Sequence, residues 1–130
     1  MALLFLLGRV IFGIYWLENA YNHLFKSAHM IGYAQSKGVK HPKLAIMGTG
    51  VLLAIGGLSM LLGIAPKIGV IALVIFLLGV SFKMHDYWKQ QDPMARMTTR
   101  IEFMKNMALI GALLMILSIS SWTYSLAPFW

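Results

Sequence analysis

The chain has 130 residues, 59% of them hydrophobic and only 12% charged, with a mean hydropathy of +0.75. A soluble domain carries about 25% charged residues, so this composition describes an integral membrane protein with room for one small helical domain over residues 1–130. The net charge of +7 does not indicate nucleic acid, because the cations lie between apolar runs and form no basic face, and the absence of cysteine excludes disulfides, thiolate catalysis, iron–sulfur ligation and dithiol relays.

The first apolar segment covers residues 3–25. Its opening, MALLFLLGRV, has no basic stretch ahead of the apolar run and no A-x-A site after it, so it reads as a retained span. The connection KSAHMIGYAQSKGVKHPK follows. Within it, SAHMIGYAQSKG carries the signals of a short interfacial helix beginning at Ser27 and stopping at Gly38. The second segment, residues 44–64, contains no charge. GIAPKIG then makes a tight Gly/Pro turn, which predicts a hairpin with the third segment, residues 67–85. The connection KMHDYWKQQDPMARMTTR leads to a fourth segment, residues 103–121, and to the uncharged tail WTYSLAPFW. Each segment approaches the ~20 residues that cross a ~30 Å hydrocarbon core. The expectation is an all-α integral membrane protein, an antiparallel bundle of four transmembrane helices.

With four spans, both long connections lie on one side. They carry Lys26, Lys37, Lys40, Lys43, Lys83, Lys89, Arg96 and Arg100, against Lys67 and Arg9 towards the other side. The positive-inside rule places the long connections in the cytoplasm and both termini outside. Small residues recur at helical spacing: Gly50, Ala54 and Gly57, then Gly69 and Ala72, then Gly111 and Ala112. They predict close helix packing in lipid rather than phosphate binding.

The first span also holds Arg9, Glu18, Asn19, Asn22 and His23. A central charge costs a membrane helix roughly 2.5–3.5 kcal/mol. Tyr15, Glu18 and Asn22 share one helical face. Arg9 lies on nearly the opposite face and about 13 Å away along the axis, so each charge needs its own partner. For Arg9 the choices are headgroups or the uncharged tail. For Glu18 the expected partner is Lys105. The stretch FKMHDYW delivers His85, Asp86, Tyr87 and Trp88 to the same level, and RIEFMKNMALIG delivers Glu102, Lys105 and Asn106. The candidate polar pocket is therefore Glu18, Asn22, His23, His85, Asp86, Glu102, Lys105 and Asn106. Tyr15, Trp16, Tyr87 and Trp88 are the candidate ring-lining residues. Such a group fits either a hydrogen-bond network that fixes helix register or a site for a quinone head, where His and Glu donate to carbonyls and carry protons. No metal site is expected. Glu102 is followed at i+3 by Lys105 rather than His, and His23 and His85, although at the ends of two helices, match no haem or metal ligand spacing.

Five stretches carry a resemblance along nearly the whole chain: LGRVIFG, IGYAQSKGV, LLAIGGLSMLLG, HDYW and FMKNMALIGALLM. In this order and spacing they resemble the DoxX family of small bacterial membrane proteins. The resemblance implies a four-helix bundle in the bacterial inner membrane and a link to redox systems, such as the DoxD-type subunit of a thiosulfate:quinone oxidoreductase. Arg9, His85, Asp86, Trp88, Lys105 and Asn106 match recurring polar or aromatic positions of the family. Some branches carry an acidic residue in span two, where this chain has Leu53 and Ala54, so chemistry depending on that acid does not transfer.

Two functions are expected from this reading. The first is a small subunit or accessory protein of a redox system, in contact with quinone or with a redox partner at the cytoplasmic face. The second is a non-enzymatic scaffold or assembly factor whose basic loops recruit partners. The lipid bilayer is a partner in either case, and a homo-oligomer is compatible with both. No inverted repeat or broken helix pair indicates a carrier.

Overall fold

The computed structural model describes residues 1–127, whose regular structure is helical: α1 (Ala2–Phe25), α2 (Ala28–Ser36), α3 (Pro42–Leu62), α4 (Pro66–Met84) and α5 (Pro93–Leu117), with one 3-10 turn at Tyr87–Lys89. Pro128, Phe129 and Trp130, the end of the uncharged tail, lie outside the described residues. Three segments are long and apolar enough to cross a membrane: Ala2–Phe25, Pro42–Leu62 and Pro66–Lys89.

On α1 the buried residues are Arg9, Gly13, Trp16 and Ala20. Their spacing of three or four makes one stripe, and that stripe packs on α3. Gly13 lies against Leu61, Gly57 against Leu17 and Gly50 against Leu24; a Cβ at Gly57 would stand 2.9 Å from the Leu17 side chain. Small residues thus set the distance between the two helices. From there α3 packs on α4 and α4 on α5, while α1 and α5 do not pack with comparable closeness. Trp16, Leu53, Leu73, Leu77 and Leu113 form the centre of the buried core.

The α3–α4 turn is as tight as GIAPKIG predicts. Gly63 caps α3 in the left-handed region (φ 67°), and Ala65 also has a positive φ of 44°, a conformation that costs a residue with a Cβ roughly 1–2 kcal/mol. The turn is held from inside. The Ser59 hydroxyl donates to the carbonyls of Ile64 (2.5 Å) and Ala65 (3.0 Å). Pro66 then opens α4, where its missing N–H costs nothing.

The short helix expected after Ser27 is present as α2, with Ser27 preceding it and Gly38 (φ 72°) beyond its end. The fourth long helix differs from expectation at both ends. It starts at Pro93, ten residues before the expected boundary at 103, because Asp92 accepts a hydrogen bond from the Ala95 N–H (2.8 Å) and Pro93 sits at the first helical position. It stops at Leu117, short of residue 121. The tail then returns across the α3–α4 turn, with Leu126 N–H donating to Leu62 O (3.1 Å) and Ala65 N–H to Ala127 O (3.3 Å).

Candidate functional site

The polar residues of the sequence gather at two opposite ends of the fold. At one end, Arg9 and the tail meet the α3–α4 turn. At the other, the C-termini of α1 and α4 meet α2 and the start of α3.

The second end holds a cavity of about 490 Å³, bounded by α1, α3, α4 and the α2–α3 connection. Its walls are mostly apolar, including Ile46, Leu52, Phe76 and Val80, and its polar residues are His23, Lys40, Thr49 and Lys83. Ligand pockets with apolar walls and a few polar groups span about 300–1,000 Å³. His23 comes from the last turn of α1, and Thr49 from the second turn of α3. The His23 Nδ1 and Thr49 Oγ1 are 2.9 Å apart, and the Thr49 hydroxyl donates to Ile46 O at 2.8 Å. With its only proton committed to Ile46, Thr49 Oγ1 accepts from Nδ1–H. The His23 ring is thereby oriented at the cavity wall by Thr49. The ring meets Phe76 edge-on at 5.6 Å.

One side of the cavity is covered by Ala34, Gly38, Val39 and Lys40, so α2 and its exit matter to it. Two side chains tie α2 to the end of α4. The Tyr33 hydroxyl donates to Met84 O (3.1 Å), and Lys37 pairs with Asp86 at 2.5 Å. Asp86 is buried and also meets Lys89 at 3.5 Å. Its hydrogen bond and its charge hold the Lys37 ammonium above the ordinary lysine value of 10.5. The Tyr33 phenol adds to this, and its ring lies 5.7 Å from the Lys37 Nζ.

The expected single polar pocket is thus divided. His23 lines the cavity. Asp86 stands outside it as the anchor of α2. His85 caps α4, half-buried, within electrostatic reach of Glu102, Lys105, Lys37 and Asp86. The expected Glu18–Lys105 pair does not form. Lys105 pairs instead with Glu102 one turn away on α5. Glu18 is exposed and has no partner among the described residues, because the buried stripe of α1 runs through Trp16 and Ala20 and turns Glu18 outward. Asn22 is half-buried on α1 and Asn106 is buried on α5, and neither lines the cavity.

None of the expected ring-lining residues is on the cavity wall. Trp16 is a core residue, packed edge-on against Phe12 and Phe76. Tyr15 is exposed. Tyr87 and Trp88 gather with Phe82 around Phe103 of α5, with ring centroids 5.5–5.8 Å from it. Their position is set by the 3-10 turn, which carries both rings towards α5. Sequence reasoning missed Thr49 and Lys37. Thr49 had a signal as one of two polar side chains, with Ser59, in an uncharged span. Lys37 had none, since its partner lies 49 residues away. Among the described residues, no group of three or more His, Asp or Glu stands close enough to hold a metal ion.

At the opposite end, Arg9 is bonded to the tail. It donates through Nη1 to Thr123 O (3.0 Å) and through Nη2 to Tyr124 O (2.9 Å) and Leu61 O (3.4 Å). Its guanidinium also faces the Trp122 ring at 5.5 Å.

One comparison with known proteins matches part of the chain. No curated protein and no solved structure matches it. The DoxX family model matches residues 4–86. That stretch includes Arg9, His23, Thr49, Lys37 and Asp86 and stops before α5, so the FMKNMALIGALLM resemblance lies outside it. With well over half of its length matched and three helices apolar enough to cross a bilayer, the chain belongs to the DoxX family and is a multi-pass membrane protein.

Proposed function

We propose that this protein is a small membrane subunit or accessory protein of a redox system, and that it holds the head of a quinone in the cavity beside His23. The observation that carries the reading is the His23–Thr49 pair on the wall of an otherwise mostly apolar cavity of about 490 Å³. A quinone, when bound, supplies two-electron, two-proton redox chemistry. The residues fit such a head: apolar walls receive the ring, and His23 offers one oriented imidazole. Nε2 takes a proton from a ring hydroxyl or, once protonated, donates to a ring carbonyl. Lys40 and Lys83 add positive charge at the cavity, which favours a deprotonated ring oxygen.

We further propose that the apolar half of α5 is a fourth span and that the long helices are antiparallel. The α1–α3 contacts support this, since Gly13, Leu17 and Leu24 meet Leu61, Gly57 and Gly50 in reversed order. The cation-rich end then faces the cytoplasm of a bacterial inner membrane, and a redox partner protein docks there. A scaffold that recruits partners through its loops is the second reading. It is favoured by the exposure of Lys40, Lys43, Lys89, Arg96 and Arg100 at that end.

The test is mass spectrometry of an organic extract from protein purified in mild detergent, quantified against protein. Near-stoichiometric quinone is expected in the unaltered chain. Gly79→Leu is expected to carry several-fold less, because a side chain at Gly79 enters open space on the cavity wall. Bulk phospholipid alone, or equal quinone in both proteins, would overturn the quinone reading and favour the scaffold.

A further inference from the structure

A second cavity lies at the other end of the molecule, away from the His23 site. It measures about 380 Å³ and sits between α1 and α5, where those two helices fail to close on each other. Leu4, Phe12, Met60, Ala112 and Ile116 give it apolar walls, and Arg9 and Trp122 complete the lining.

Both of those residues are unusual. Arg9 is 6% exposed and Trp122 is 7% exposed. Each keeps one buried N–H without an acceptor, Nε in Arg9 and Nε1 in Trp122. A buried unsatisfied donor costs roughly 1–3 kcal/mol, and more when it is charged. Both donors belong to side chains that line this one cavity.

Charge points the same way. The carbonyls that bond Arg9 are neutral, so they satisfy N–H groups without cancelling the positive charge. Among the described residues the carboxylates are Glu18, Asp86, Asp92 and Glu102, and none lies at this end. A cation withdrawn from water without a counterion is strongly disfavoured.

Depth identifies the kind of anion. Arg9 bonds Leu61 O and lies beside Gly63, so it stands level with the α3–α4 turn. Turns between membrane helices sit at the headgroup boundary. The cavity therefore has its charged residue at headgroup level and hydrocarbon walls towards the membrane interior.

We propose that this cavity binds an anionic lipid, with a negatively charged headgroup oxygen accepting from Arg9 Nε–H and Trp122 Nε1–H and an acyl chain lying between α1 and α5. The shared chemistry is an anionic oxygen on a hydrocarbon chain, whether the headgroup is a phosphodiester or a fatty-acid carboxylate.

The test uses the full chain in phosphatidylcholine nanodiscs, with native mass spectrometry to count retained lipid after addition of phosphatidylglycerol, oleate or inorganic phosphate. Retention of one phosphatidylglycerol or one oleate per chain is expected, and the preferred one names the source. Gly8→Leu fills the cavity from a position with open space around it and leaves both donors in place; it is expected to abolish retention. Trp122→Phe keeps the ring and removes one donor, and is expected to weaken retention about tenfold. Folding of each variant is checked by its thermal transition before lipid is added. The proposal is overturned if neither amphiphile is retained in preference to phosphatidylcholine, if inorganic phosphate competes as well as either amphiphile, or if folded Gly8→Leu retains lipid like the unaltered chain.

Discussion

Arg9 spends two of its nitrogens on three main-chain oxygens, two of them in the tail. That geometry suits a planar fork and does not suit a point charge. Arg9→Leu leaves the Thr123 and Tyr124 carbonyls without their donor, and we expect it to cost about 1–3 kcal/mol and to expose the tail. Limited proteolysis near Tyr124 checks this, with faster cleavage expected in Arg9→Leu and an intermediate rate in Arg9→Lys. An unchanged rate in both would mean that the tail is held without Arg9, by its bonds to Leu62, Gly63 and Ala65. The sequence left Arg9 with two choices, headgroup or tail, and nothing local decides between them. The tail bonds come from residues more than a hundred positions away, which fold back over the turn beside Arg9. Glu18 illustrates the converse. Its face was legible from helical spacing, but whether that face is buried depends on which stripe of α1 meets α3, and Gly13 and Trp16 fix that stripe.

At the scale of elements, α2 is a nine-residue helix too short to be stable alone in water. It is held by Ala34, Tyr33 and the Lys37–Asp86 pair. Lys37→Met keeps the aliphatic stem and leaves Asp86 buried with only the more distant Lys89; we expect a loss of about 1–3 kcal/mol and faster amide exchange in α2. Because the Lys37 value is raised in the folded protein, its contribution is complete below the unfolded lysine value of 10.5. It is lost as pH rises through the higher folded value. Alkaline unfolding should therefore begin at lower pH in Lys37→Met; coincident curves would remove the pair from the account. For α5 the controlling residue is its cap. Asp92→Ala should cost about 1 kcal/mol and raise exchange over the first turn after Pro93, while the apolar half stays protected. The Asp-Pro signal was present in the sequence. The polar run that follows nevertheless reads as a connection, because hydropathy reports on solvent rather than on backbone conformation.

Over the whole molecule, the parts fixed by local chemistry were readable in advance: the apolar helices, the Gly/Pro turn, and α2 between Ser27 and Gly38. The separation of Arg9 from Glu18 was also readable, because helical rise puts them about 13 Å apart along α1. The cavities were not readable. Both arise where helices diverge, α1 from α5 in one case and α2 from the ends of α3 and α4 in the other, and divergence is a property of the assembled bundle.

The bond between Arg9 and Thr123 also has a consequence in time. Its partners are separated by 114 residues, and at about 5–20 residues per second the ribosome needs roughly 6–23 s to make that interval. The first span enters the bilayer before its acceptors exist. During those seconds the guanidinium has apolar runs on either side of it, ALLFLLG before and VIFGIYWL after, and no tail carbonyl to bond.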